Sequence, residues 1–133
     1  MAKHWDVAQV SALVNQIYNQ VLGRGVLDNN GSITDPSGLF AFGCALRDGN
    51  MSVRDTVRSL GLSQEYFNRF IVPLTVADGI NQCYVHFLGR QADQGGLQNY
   101  EQGIRNGGGF NAVINSLIDS DEYTKKFGAD VVP

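Results

Sequence analysis

From Asp6 onward the apolar positions are Val7, Val10, Leu13, Val14, Ile17, Tyr18, Val21 and Leu22. This three-and-four spacing is the pattern of a single helix with one buried stripe. Asp6 stands at the N-cap position, and Gly23 is placed to end the helix. The same periodicity then recurs in short blocks, each opened by a capping residue. Asp35-Pro36 precedes Leu39, Phe40, Phe42, Ala45 and Leu46, and Ser52 with Asp55 precedes Val53, Val57 and Leu60. Ser63 opens a short segment with Tyr66, Phe67 and Phe70 that Pro73 ends. Thr75 with Asp78 opens a helix through Ile80, Tyr84, Phe87 and Leu88 to Gly89. Asp93 caps a helix with Leu97, Tyr100 and Ile104, and Gly107-Gly108-Gly109 interrupts it. Phe110, Val113, Ile114, Leu117 and Ile118 form the next stripe, and Ser120 caps a last short helix to Phe127. No stretch alternates with period two for long enough to predict a strand. The predicted fold class is all-α, a single domain over residues 1–133 with about six to eight helices.

These blocks fall into two similar halves. Tyr18, Leu22, Gly23 and Arg24 match Tyr84, Leu88, Gly89 and Arg90 at one constant offset. At a shorter offset Gly38-Leu39 matches Gly96-Leu97, Leu46-Arg47 matches Ile104-Arg105, and Gly49 matches Gly107. Ser63, Glu65, Tyr66 and Phe70 then match Ser120, Glu122, Tyr123 and Phe127. The order is preserved throughout, and the first half carries an extra Asn-rich loop. Two pseudo-repeated helical units, over about 7–71 and 75–128, are expected to pack their apolar sides on one another in a common core.

Composition narrows the class. The 43% hydrophobic and 17% charged residues fit an ordinary globule, and no apolar run is long enough to span a bilayer. Direct membrane insertion is therefore not expected. The first residues lack the apolar core of a secretory signal, so a cytosolic or equivalent compartment is the expectation. A net charge of −3 argues against nucleic acid, which needs a basic footprint. Arg47, Arg54, Arg58 and Arg69 nevertheless lie in a stretch whose acids are only Asp48, Asp55 and Glu65, so a local cationic face is expected there.

Candidate chemistry is sparse. The loop 25–34 is rich in Asp, Asn and Gly, but aligning Gly31 with the sixth position of a calcium loop puts Val26 first and Ser37 last, where carboxylates are needed. Cys83 and His86 sit three apart on one helix without the further ligands a zinc site requires. Cys44 and Cys83 have no CxxC spacing and read as reduced, structural thiols. The triple glycine lacks the Lys-Ser/Thr of a phosphate loop and reads as a positive-φ stop. Asp93 is placed to cap a helix rather than to pair with Glu101 in catalysis. The expectation is a protein that is not an enzyme and holds no cofactor or metal. Exposed arginines then become the natural anchors for a protein partner, with Arg54 and Arg58 sharing one outer helix stripe. The tyrosines Tyr18, Tyr66, Tyr84, Tyr100 and Tyr123 read first as core and second as mixed contacts.

The segments Ile17-Tyr18-Asn19-Gln20-Val21-Leu22-Gly23-Arg24, Leu46-Arg47-Asp48-Gly49-Asn50-Met51-Ser52-Val53-Arg54-Asp55-Thr56-Val57-Arg58-Ser59-Leu60 and Ser63-Gln64-Glu65-Tyr66-Phe67-Asn68-Arg69-Phe70 carry a family resemblance. It continues in His86-Phe87-Leu88-Gly89-Arg90 and closes in Ser120-Asp121-Glu122-Tyr123, Phe127-Gly128 and Val132-Pro133. Together they resemble the phycobilisome linker domain over nearly the whole chain. The resemblance implies an all-helical, non-enzymatic structural linker. Such a linker binds inside phycobiliprotein discs of phycocyanin, allophycocyanin or phycoerythrin, as trimers or hexamers, and tunes their bilins. It also implies a peripheral place on the cytoplasmic (stromal) face of the thylakoid membrane, with self-association left open. The candidate partner-binding residues are Arg47, Arg54, Arg58, Tyr66, Arg69, Phe70, Arg90 and Arg105. Two alternatives stand beside this reading. One is a linker carrying its own bilin on Cys44 or Cys83. The other is a helical adhesion or calcium-associated module of a surface protein, suggested by the Asp93-Gln94-Gly95-Gly96-Leu97 turn.

Overall fold

The computed structural model describes residues 2–133. Its helices are α1 (Val7–Leu22), α2 (Pro36–Arg47), α3 (Val53–Gly61), α4 (Gln64–Tyr66), α5 (Val76–Leu88), α6 (Gln94–Arg105), α7 (Phe110–Ile118) and α8 (Asp121–Lys126). A π-helical turn, Phe67–Ile71, continues α4. No strand forms among the described residues, and a lone bridge between Leu27 and Ile33 closes the Asn-rich loop. The fold is all-α, as the periodicity predicts.

The capping signals act where the sequence places them. Asp35, Ser63, Thr75, Asp93 and Ser120 each accept a backbone N–H from the third residue on. Ser52 and Asp55 complete a reciprocal capping box, which satisfies two donors that the first turn of α3 leaves orphaned. Asp6 differs: it occupies the N-cap position of α1 without a side-chain bond. Gly23 and Gly89 end α1 and α5 with φ of 68° and 71°, a left-handed conformation that costs a residue with a Cβ about 1–2 kcal/mol.

The two long helices organise the packing. α1 lies against α2, α3 and α4, and α5 lies against α6, α7 and α8. The two sets meet where α1 touches α5 and α3 touches α7. One continuous core results, with Val14, Ile17, Val21, Leu46, Val53 and Val57 from the first set and Ile80, Phe87, Val113, Ile114 and Tyr123 from the second. α6 is the exception, because none of its residues is fully buried; Leu97, Tyr100 and Ile104 only lean on the core edge.

Candidate partner-binding surface

The Tyr-x-x-x-Leu-Gly-Arg segments build the same knot twice. After Gly23 turns the chain, Arg24 Nε and Nη2 donate to the two carboxylate oxygens of Glu65 at 2.8 and 2.9 Å, and its Nη1 lies 3.0 Å from Asp35, the cap of α2. Its guanidinium stacks over the Tyr18 ring at 5.1 Å. In the second half Arg90 Nε and Nη2 donate to Glu122, both at 2.8 Å; its Nη1 lies 3.5 Å from Asp93, the cap of α6, and the guanidinium stands 5.0 Å over Tyr84. Asn15 and Asn81 each use a side-chain oxygen to hold backbone N–H groups of the loop that follows, at Val26, Leu27 and Ala92. The Tyr18 and Tyr84 hydroxyls fill the space where Gly38 and Gly96 lack a Cβ. One arginine therefore fastens the end of the long helix to the cap of the next helix and to the short closing helix. Bidentate geometry makes this the strong form of the pair.

These pairs shift the carboxylates. Hydrogen bonds from Arg90 and then Lys126 hold the Glu122 carboxyl down at about 2, and Arg24 lowers that of Glu65. Asp35 and Asp93 are lowered first by the backbone N–H groups of Gly38 and Gly96, and Asp119 by Arg58. All five ionise more readily folded than in an unfolded chain, where such groups titrate near about 4. Their stabilisation is thus complete above roughly pH 5 and is lost as pH falls toward about 2. The melting temperature is expected to fall on acidification, first below roughly pH 6.5, where the unfolded chain protonates His86 more readily than the fold that buries it, and further below roughly pH 5 as the carboxylates lose their advantage. Glu122→Gln should remove part of that slope, by only a few degrees because the pair is about one-third exposed and solvent screens it. A slope identical in the variant would exclude Glu122 from it.

The candidate residues divide sharply in this structure. Arg47, Arg69 and Arg105 are exposed and make only local pairs, with Asp48, Glu65 and Glu101. Arg90 is committed to Glu122 inside the chain. Arg54 and Arg58 do not share a free outer stripe as expected, since both reach across to the second half. Arg58 Nη1 donates to Asn115 at 2.6 Å while its Nη2 pairs with Asp119. Arg54 stacks over Tyr123 at 4.9 Å and donates to the Thr124 hydroxyl at 2.5 Å. The reason is geometric: α3 crosses α7, so the positions flanking its apolar stripe face α7 and α8 rather than solvent.

Tyr66, included above as a contact, is instead fully buried. Its ring packs on Phe70 and Phe87 at 5.1 and 5.5 Å, and burial raises its hydroxyl pKa. That hydroxyl lies 2.8 Å from His86 Nδ1 and 3.8 Å from Cys83 Sγ. Cys83 and His86 therefore meet at a tyrosine, and burial pushes the Cys83 thiol up to about 12 and lowers the pKa of the imidazole. Cys83 is fully buried beside Tyr66, so a bilin could reach its thiol only if α4 and α5 opened. Cys44 is half-buried and in no disulfide. Phe70 is half-buried against His86 at 4.7 Å. In the Asn-rich loop, the Asp28 carboxylate accepts the N–H groups of Asn30 and Ser32, closing a turn on itself.

Arg24 was missing from the sequence-derived set although it does what Arg90 does. The signal was present: Arg24 with Glu65 and Arg90 with Glu122 occupy matched positions in the two halves.

A family model described as phycobilisome linker polypeptide matches residues 5–133. Phycobiliprotein ApcE of Microchaete diplosiphon is 37% identical over 127 residues, covering 95% of this chain and 11% of its own length. The phycobilisome 32.1 kDa linker polypeptide, phycocyanin-associated, rod 2, of Synechocystis is 37% identical over 94% of this chain and 44% of its own length. The phycoerythrin class 2 subunit gamma, linker polypeptide, of Synechococcus is 35% identical over 95% of this chain and 41% of its own length. The chain thus spans less than half the length of these relatives.

Proposed function

The chain belongs to the phycobilisome linker polypeptide family, and on that premise we propose that it is a non-enzymatic structural linker that binds inside phycobiliprotein discs. It organises assembly of the light-harvesting antenna and tunes energy transfer through the surroundings of the bilins. The observation that carries this reading is the family match over residues 5–133, which takes in both arginine knots and all eight helices. Relatives named for phycocyanin and phycoerythrin support phycobiliproteins as partners, with phycocyanin, allophycocyanin and phycoerythrin all candidates. Its place is peripheral, on the cytoplasmic (stromal) face of the thylakoid membrane within the phycobilisome. No helix among the described residues is long and apolar enough to cross a membrane.

The division of the arginines refines the contact set. Arg47, Arg69 and Arg105 are the candidate arginines available to a partner, because solvent screens their exposed local pairs, which exchange readily for a partner carboxylate. Arg54, Arg58 and Arg90 serve the fold. Mixing the chain with purified phycocyanin hexamers at low salt tests the reading. Co-sedimentation is expected, together with a shift in the phycocyanin absorption or in its hexamer assembly. No co-sedimentation and no shift with phycocyanin, allophycocyanin or phycoerythrin would sink the linker reading.

A further inference from the structure

The matched halves supply an internal control for which surface residues the fold itself needs. α2 and α6 start from equivalent capping aspartates, Asp35 and Asp93, run the same length and end in Arg47 and Arg105. Their outer faces differ in kind. On α6 that face is Gln98, Glu101, Gln102 and Arg105, which line a polar groove. The matching positions on α2 are Phe40, Gly43, Cys44 and Arg47, and with Val7, Val10 and Ser11 of α1 they line an apolar cleft of about 240 Å³. Phe40 is 73% exposed and Val7 is 70% exposed, the two largest exposures among the big apolar side chains of the described residues. Gly43, where a Cβ would meet Val10 Cγ1 at 2.9 Å, lets the two helices close the floor. A polar face at this position is compatible with the fold, as α6 demonstrates. The exposed Phe40 ring is therefore not required for packing within the chain, unlike Leu39, Phe42 and Leu46 on the inner face of α2.

We propose that the α1–α2 cleft around Phe40 and Val7 is a docking surface for a phycobiliprotein subunit, taking a large apolar side chain with Arg47 at its rim. The proposal rests on the linker reading above, and it names the place of contact that the arginines alone do not. Exposed aromatics beside an arginine are the composition of interface anchors. The occupant is a phycobiliprotein rather than a second copy. Two copies each carry a net charge of −3 and repel. A stable interface buries roughly 1,200–2,000 Å², which a linker seated in a disc assembles from this cleft together with contacts elsewhere.

The internal control also gives the test. Phe40→Gln places on α2 the residue that α6 uses at the matched position, so its melting temperature should equal that of the parent. Val7→Gln approaches the same cleft from α1 and serves as a second variant. Binding of the parent and both variants to phycocyanin, allophycocyanin and phycoerythrin hexamers is measured by co-sedimentation, and the chain alone by sedimentation velocity. The expected result is a folded monomer whose affinity falls about tenfold or more in each variant. Unchanged affinity in both variants beside a binding parent overturns the docking surface and leaves the linker reading standing. A parent that binds none of the three overturns both. A concentration-dependent dimer that Phe40→Gln abolishes assigns the cleft to a second copy and overturns the proposal.

Discussion

Phe87→Ala is expected to lower the unfolding free energy by about 3–5 kcal/mol, read as a lower urea midpoint at unchanged slope. The ring is fully buried on α5, packs on Tyr66 at 5.5 Å and fills the space where α3 ends. That space exists because residue 61 is glycine. A Cβ there would stand 2.6 Å from Phe87 Cζ, 3.0 Å from Cε1 and 3.2 Å from Ile114 Cγ2. Gly61→Ala should therefore cost about 1–3 kcal/mol by overpacking, despite alanine's better helix propensity. The two effects are coupled, since the clash is with ring atoms that leucine does not possess. In a Phe87→Leu background the cost of Gly61→Ala should shrink by at least about 1 kcal/mol. Additive costs would mean that α3 and α5 adjust around the alanine and that the crossing is not set by this contact.

What the sequence made legible is what depends on near neighbours. The caps at Asp35, Ser52, Ser63, Thr75, Asp93 and Ser120 were readable because a capping side chain bonds a backbone three residues away. The stripe of α1 was readable for the same reason: its period is local, and every residue from Val10 to Leu22 on that stripe is buried. The turn Phe67–Ile71 is π-helical, which the spacing of Tyr66, Phe67 and Phe70 does not reveal. There Val72 N–H donates to Phe67 O at 3.0 Å, a π-type bond that closes the ladder just before Pro73, which has no N–H to continue it. Proline marked the end correctly, but composition carries no mark of how many residues the last turn holds.

The site was less legible, because an arginine's destination is set by distant chain. Arg47, Arg54, Arg58, Arg90 and Arg105 look alike in sequence, each on a helix or just past its end. Arg47 and Arg105 pair with neighbours at one and four residues, whereas Arg58 pairs at 57 and 61, Arg54 at 70 and Arg90 at 32. Only the packing of α3 on α7 and of α5 on α8 separates the two groups. Tyr66 illustrates the same limit from the other side. Its hydroxyl suggested a contact, yet His86 satisfies it inside the core. At the matched position the Tyr123 hydroxyl, also buried, meets no hydrogen-bond partner among the described residues.

Reversing charge at Arg54 and Arg58 therefore tests the fold before it tests any partner. In the double variant Arg54→Glu with Arg58→Glu, a carboxylate replaces a cation over the Tyr123 ring, and another faces Asp119 as a like charge. The lost cation–π contact is worth about 0.5–2 kcal/mol. The charge-assisted bond from Arg58 to Asn115 is worth about 1.5–3 kcal/mol. Asp119 is 61% exposed, so its pairing adds little beyond that. The two sites are neighbours on α3 and do not add fully, which puts the combined loss at about 2–4 kcal/mol. Urea unfolding should show it, and a double-mutant cycle should find Arg58 coupled more strongly to Asn115 than to Asp119. A variant that unfolds at the parent's midpoint would return both arginines to the solvent-facing stripe. If the midpoint falls as expected, weaker phycobiliprotein binding by this variant reports a loosened junction between α3 and α7. The contact itself is then to be sought around Phe40, where α2 departs from its counterpart, with Val7 of α1 and Arg47 beside it.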